Sequence, residues 1–248
     1  ECLVGSEMCI RDSILAGGVG SRVGAGMPKQ FVKILGKPVI VYTIEAFQKH
    51  EDIDAIEVVC VKSHIDYMKE LVDTYGLSKV KWITEGGADF QGSVLNGINN
   101  LQDKCSEDDI VLVHFGASPF VEGDIIADAV RVCKIKGNAI STTPFYLLSG
   151  VKDDDEKTTK WIDRDTIACM NSPHAFRYGY IRDIYKRAVE TGVIKEVEPH
   201  TTTLMYKMGE TIYFSKGSQS NIKITTKEDL DLFEGYVLMK QRHAQEDK

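Results

Sequence analysis

Apolar positions along the chain follow two rhythms that alternate with each other. Short runs rich in β-branched and aliphatic residues recur at 14–16, 55–61, 79–84, 109–114 and 138–143. The run 109–114 (Asp-Ile-Val-Leu-Val-His) is continuously apolar in its middle, which demands cover on both faces and predicts the central strand of a sheet. Between these runs the spacing becomes helical. Val39, Ile40, Thr43, Ile44 and Phe47 predict a helix opened by Pro38, and Ile65, Met68, Leu71 and Val72 one that Ser63 caps and that runs to about Tyr75. Ile125, Ile126, Ala129, Val130 and Cys133 predict a covering helix over 123–136, and 177–191 reads as another. Strand, helix, strand in repetition means an α/β fold whose sheet is mostly parallel, with right-handed crossovers and helices on both faces.

The rhythm breaks after 144. Two short β-like runs, 145–151 and 158–162, flank Lys152-Asp153-Asp154-Asp155-Glu156-Lys157, which reads as the solvated tip of a protruding hairpin arm over about 145–170. Asn171 to Phe176 reads as the turn that returns the chain to the core, 198–203 opens a further helix, and 211–215 is a late strand. Thr226 is placed to cap the final helix, with Asp229 as a short-acid variant of the capping box. Just before it, Lys223 alternates against Ile222 and Ile224 and so faces the other way.

Composition adds limits rather than a function. A chain of 248 residues with 43% hydrophobic and 27% charged residues can bury a substantial single core. No apolar run reaches the ~18 residues of a membrane span. A net charge of −7 argues against a nucleic-acid face, because duplex binders carry clustered basic surface. The six cysteines form no CxxC pair, so neither a zinc site nor a disulfide framework is indicated, and the chain reads as a cytoplasmic protein. Residues 1–12 (Glu-Cys-Leu-Val-Gly-Ser-Glu-Met-Cys-Ile-Arg-Asp) resemble translated adapter sequence. They are set aside as a non-native leader, which leaves one domain over 13–248.

The candidate chemistry sits where the first strand ends. Ile14-Leu15-Ala16 run into a bend holding Gly17, Gly18, Gly20, Gly24 and Gly26, with Arg22 inside it and Pro28-Lys29-Gln30 closing it. Glycine lets backbone N–H groups approach a phosphate, and fixed cations take up charge as it builds. A dinucleotide fingerprint would need a third glycine where Val23 stands, and a P-loop would need Gly-Lys-Ser/Thr, which is absent. A second glycine bend, Gly86-Gly87-Ala88-Asp89 leading to Ser93, follows the strand at 79–84 and again puts backbone donors ahead of a helix. Both bends point to a nucleoside triphosphate.

Ala16-Gly17-Gly18-x-Gly20-x-Arg22 followed by Pro28-Lys29-Gln30, together with Asn221-Ile222-Lys223-x-Thr225-x-x-Glu228-Asp229-Leu230, resembles the cytidylyltransferases that act on alditol phosphates. That group includes enzymes for 2-C-methyl-D-erythritol 4-phosphate and for ribitol 5-phosphate, and the likeness covers nearly the whole chain. The resemblance implies a Rossmann-like nucleotidyltransferase fold. It places Arg22, Lys29 and Lys223 around the α-phosphate of CTP, and makes Leu15, Ala16, Gly17, Gly18, Gly20, Gly87 and Ser93 nucleotide-binding. It also implies that the arm crosses a twofold homodimer so that Asp163 and Arg164 meet the partner's acceptor, with Thr143 and Thr201 at the acceptor pocket. Mg²⁺ is the implied cofactor, held mainly by phosphates.

One segment departs from the pattern. His114-Phe115-Gly116-Ala117-Ser118-Pro119 stands where the family reads His-Asp-Ala-x-Arg-Pro, so the metal carboxylate is replaced by Phe115 and the phosphate-binding arginine by Ser118. His114 itself reads as a hydrogen-bonded histidine at a strand end. The expected reaction is transfer of CMP from CTP to an alditol phosphate with release of pyrophosphate. The alternative is a nucleotide-binding regulatory homologue with weak or no catalysis.

Overall fold

The computed structural model describes residues 8–18 and 26–246. Arg22, Gly20 and Gly24 therefore lie outside the described residues. The chain opens with β1 (Ile10–Ala16), buried along its whole length. It starts inside the segment expected to be a leader: Arg11 and Asp12 stand in register with Ala55 and Ile56 on one side and Val111 and Leu112 on the other. Residues 10–12 are thus part of the sheet, a placement that two adjacent charges do not announce in the sequence.

After a short 3₁₀ turn at Lys29–Phe31 come a two-residue hairpin, β2 (Lys33–Ile34) and β3 (Lys37–Pro38), and then α1 (Val39–Gln48). Next are β4 (Ala55–Cys60), α2 (Ile65–Thr74), β5 (Val80–Glu85), α3 (Phe90–Asn100), β6 (Ile110–Phe115), α4 (Gly123–Lys136) and β7 (Asn138–Pro144). The arm carries β8 (Gly150–Val151) paired with β9 (Lys160–Trp161). The chain returns as β10 (Ala168–Arg177) and ends with α5 (Tyr178–Thr191), α6 (Thr201–Lys207), β11 (Phe214–Lys216) and α7 (Lys227–Glu246).

The main sheet has the order β11-β7-β10-β6-β1-β4-β5, so β6 sits at its centre as its apolar run requires. All neighbours are parallel except β10, which runs antiparallel to both β6 and β7. This corrects the expected turn over 171–176: those residues are strand, with Pro173 at an irregularity of register between Asn171 and His174, where no ladder N–H is needed. The helix expected from Ser63 begins later. A 3₁₀ turn occupies Lys62–His64, and the Ser63 hydroxyl is spent on His64 Nδ1 at 2.9 Å rather than on a cap.

Alternation within the strands divides the core into two layers. Ile10, Ile14, Ile56, Val58, Ile110 and Leu112 pack with α1, α2 and α4, while Leu15, Val59, Val111 and Val113 pack with α3, α5 and α6. A smaller cluster joins Phe233 and Val237 of α7 to Ala117, Phe120 and Ile224, which fastens the C-terminal segment against the end of β6. The expected cap of α7 forms: Asp229 Oδ2 accepts from the Thr225 and Thr226 amides at 2.7 and 2.9 Å, and Asp229 N–H donates to Thr226 Oγ1.

Candidate active site

At the carboxyl ends of the parallel strands β1, β4, β5 and β6 two glycine bends meet, where open α/β sheets hold their ligands. The first bend leaves β1 at Gly17 and Gly18. Buried Gln30 pins it by donating from Nε2 to the Ala16 carbonyl at 2.7 Å and the Gly18 carbonyl at 2.9 Å. The second bend leaves β5 at Gly86. Asp89 ends it as the N-cap of α3, its Oδ1 accepting from Gly92 N–H at 2.7 Å. Ser93 braces this second bend from within, since its hydroxyl donates to the Asp89 carbonyl and accepts from Gly87 N–H at 3.1 Å.

Space explains the glycines better than flexibility does. A Cβ on Gly87 would lie 2.4 Å from the Gly92 carbonyl carbon, and one on Gly17 would lie 2.8 Å from Ser93 Oγ. The bends approach each other at Gly17 and Gly86, where a Cβ on Gly86 would lie 3.4 Å from the Gly17 Cα, whereas Gly18 faces open space.

Between them lies a cavity of about 410 Å³ lined by Leu15, Gly17, Gly18, Lys29, Gln30, Gly87, Ser93 and Lys223, among others. Lys29 and Lys223, distant in sequence, thus share one cavity. The contact is specific: the Lys29 ammonium donates to the carbonyl of Ile224, the residue next to Lys223. Ala16, also expected here, is buried in β1 just before the bend and contributes its carbonyl to Gln30.

A second cavity of about 290 Å³ adjoins the first. Phe115, His200 and Lys223 line both, and Ser118, Met170, Asn171, Ser172, His174 and Thr202 complete the smaller one. Two histidines, His174 and His200, line it, and buried His114 lies near them. Burial pushes His114 down to about 4 and His174 to about 3, the latter helped by the neighbouring His114 and His200, and His200 is lowered by burial and by Lys223. His114 donates from Nε2 to the Ser118 carbonyl at 2.9 Å, as expected of a strand-end histidine, although its Nδ1 is buried without a hydrogen bond.

The expected acceptor residues scatter. Thr201 is fully buried with its hydroxyl on His174 Nδ1, and its neighbour Thr202 lines the smaller cavity instead. Thr143 is a buried β7 residue in register with Cys169 and lines neither cavity. Asp163 and Arg164 lie on the arm. Asp163 caps a short turn there, and Arg164 donates to the Tyr146 carbonyl and lines a groove beside Trp161.

Sequence reasoning passed over Gln91. Its side chain is buried, donating to the Glu198 and His200 carbonyls and accepting from the Tyr185 hydroxyl at 2.7 Å, so it sets where His200 enters the site. A glutamine in the first turn after a glycine bend was the available signal.

The fit of Mg²⁺ is poor on the protein side. Among the described residues no group of three His, Cys, Asp or Glu side chains could hold a metal ion. Among the described residues, the carboxylate that lines the larger cavity, Asp89, is occupied as a helix cap.

A mostly parallel α/β sheet with two glycine bends and two lysines at its carboxyl edge has the build of the nucleotidyltransferase type. The profile of the family described as IspD, 2-C-methyl-D-erythritol 4-phosphate cytidylyltransferase, matches residues 11–239, and the chain belongs to that family. It is accordingly a CTP-dependent nucleotidyltransferase. It is 40% identical over 228 residues to a ribitol-5-phosphate cytidylyltransferase of Lacticaseibacillus paracasei, covering 92% of this chain and 97% of the relative. It is 35% identical over 235 residues to a 2-C-methyl-D-erythritol 4-phosphate cytidylyltransferase of Clostridium acetobutylicum, covering 94% and 98%. Among solved structures, the 2-C-methyl-D-erythritol 4-phosphate cytidylyltransferase of Francisella tularensis superposes with a TM-score of 0.72 at 26% identity over 90% of this chain and 97% of that one. The 4-diphosphocytidyl-2C-methyl-D-erythritol synthase of Anaerococcus prevotii shares the fold with a TM-score of 0.77 at 22% identity, covering 93% and 99%. No helix among the described residues is long and apolar enough to cross a membrane.

Proposed function

We propose that the protein transfers CMP from CTP to ribitol 5-phosphate, yielding CDP-ribitol and pyrophosphate. The observation that carries this reading is the convergence of Lys29 and Lys223 on the cavity walled by the two glycine bends. A phosphate oxygen of the acceptor attacks the α-phosphorus in line with the departing pyrophosphate. Such a transfer needs alignment and neutralisation of charge more than covalent help. In this reading the amides of 16–20 and Gly87 hold the triphosphate and cytidine, and Lys29, Lys223 and Arg22 take up the charge that builds at the α-phosphate. Mg²⁺ comes with the nucleotide phosphates, since the described side chains offer it no ligand set.

Two observations support ribitol 5-phosphate as the acceptor. Identity is higher to the ribitol-5-phosphate relative than to the methylerythritol one. The smaller cavity offers hydroxyl, amide and imidazole groups beside Phe115, Met170 and Lys223, polar partners that suit a phosphorylated polyol. The exposed apolar arm residues Leu147, Leu148 and Trp161 support a homodimer in which the arm brings Asp163 and Arg164 to the partner's acceptor site. The test is pyrophosphate release from CTP with a panel of alditol phosphates. Turnover at least tenfold faster with ribitol 5-phosphate is expected; preference for the methylerythritol substrate overturns the choice of acceptor, and CTP binding without turnover on any acceptor favours a regulatory protein.

A further inference from the structure

The end of β6 projects Phe115 into the wall that both cavities share, between the nucleotide side and the acceptor side. Three aromatic neighbours hold its ring. Phe90 of α3 packs at 5.8 Å between centroids with a tilt of 44°, and His174 and His200 each meet it at 6.2 Å, at interplanar angles of 81° and 90°. The contacts come from α3, from β10 and from the segment before α6, so three elements brace the ring. What it presents to the site is its face, and the Lys223 ammonium lies over that face 3.8 Å from the centroid.

That distance is well inside the ~6 Å within which a cation is drawn to the negative face of an aromatic ring. The surroundings strengthen the contact. His174 and His200 are held neutral by burial and by the nearby charge, so they add no positive charge that would push the ammonium away. A long lysine stem has free rotors, and an ammonium that must meet a phosphate at one point loses rate when those rotors wander.

We propose that Phe115 is the positioning residue for Lys223: its braced ring face holds the ammonium at the boundary between the two cavities by a cation–π contact. The inference rests on the cytidylyl-transfer reading of the site, since only there does the place of Lys223 matter for rate. It assigns this strand-end position an electrostatic task done by a ring quadrupole, without a carboxylate and without a metal ion.

The decisive experiment replaces Phe115 with mono-, di- and trifluorophenylalanine in the full-length protein. These side chains keep the ring's shape while draining its face of negative potential in steps. With CTP and ribitol 5-phosphate, kcat is expected to fall in a graded series to about 3- to 30-fold below wild type at the third fluorine, with KM for CTP changing less than twofold. Phe115→Trp is expected to keep kcat within about threefold, and Phe115→Leu to match the trifluorinated protein. Independently of turnover, the ε-methylene protons of Lys223 are expected to show an upfield ring-current shift in the wild type that Phe115→Leu abolishes. A kcat that does not respond to fluorination, or the absence of the ring-current shift, overturns the positioning role while the reaction stands. A wild-type protein that turns over no acceptor in the panel overturns the reaction and the positioning role with it.

Discussion

The two sides of the site are built from different materials. The nucleotide side is backbone: two bends whose glycines touch, pinned by Gln30, Asp89 and Ser93, at the ends of parallel strands. The acceptor side is side chains: an aromatic and histidine cluster drawn from β6, the antiparallel β10 and the segment before α6. A backbone site tolerates no change in chain path but recognises what every nucleoside triphosphate shares. A side-chain site can be retuned one residue at a time, and here Phe115 and Ser118 replace two charged positions of the resembled pattern with the fold intact. The buried titratable groups differ as well. Beneath the nucleotide side the sheet holds the carboxyls Asp12 and Glu57, both raised by burial, whereas the acceptor side holds histidines lowered by it.

The largest effect should come from the cations that bridge the two sides. Lys29→Ala and Lys223→Ala are each expected to lower kcat by about 10²–10³ with circular dichroism unchanged. Activity within about threefold of wild type for both would remove the charge-neutralising role assigned to the shared cavity. Gly87→Ala comes next, because its Cβ would meet backbone that cannot give way. CTP affinity should fall about 10- to 100-fold by calorimetry, an estimate of ~1.4–2.8 kcal/mol for a displaced bend. The matching change across the wall, Thr202→Val, should raise KM for the acceptor about 3- to 10-fold and leave CTP binding as it was. If Thr202→Val weakened CTP as much as acceptor, the division into two sides would be false.

Two changes in stability sharpen the contrast further. Asp12 shares a strand face with Ile10 and Ile14 in the apolar layer, and neither carboxyl oxygen has a hydrogen bond. Asp12→Leu should stabilise the fold by about 2–4 kcal/mol, read as a rise in Tm at neutral pH, from relief of an unsatisfied group and added apolar burial. Glu57 is raised to about 7 chiefly by burial, against the hydrogen bonds it accepts from Thr84, Asn100 and Ser13. A carboxyl whose folded value lies above its unfolded one favours folding while protonated, so its contribution is lost as pH rises from about 4.5 through 7. Glu57→Gln should therefore gain roughly 2 kcal/mol on wild type between pH 5 and pH 8 in urea titrations. The histidines act with the opposite sign below their unfolded value near 6.5, which is why the comparison must be made against wild type at each pH.

The same contrast governs what could be read without coordinates. Glycine spacing and the Pro-Lys-Gln and Asn-Ile-Lys segments announce a backbone site directly, and Lys29 and Lys223 do meet across the fold. The acceptor side was harder because its residues carry no local pattern. Asn171-Ser172-Pro173-His174 looks like a turn by residue type, yet it lies within strand β10 because β7 pairs with Asn171 and both β6 and β7 pair with His174. Helix phase at α6 is equally hard to read: Thr201 is buried against His174, while Thr202, one residue on, lines the smaller cavity. Asp12 failed for the reverse reason: a charge in a core strand contradicts every rule of burial, and only pairing on both sides of β1 reveals it as interior.

The hydrogen bond from Lys29 to the carbonyl of Ile224 joins positions 195 residues apart. On a ribosome the glycine bends emerge early, long before the segment that completes their wall. A nascent chain can thus assemble most of its sheet while still unable to grip a triphosphate with both lysines. Competence arrives only with the C-terminal stretch, so an interrupted translation product would be folded in large part and chemically silent.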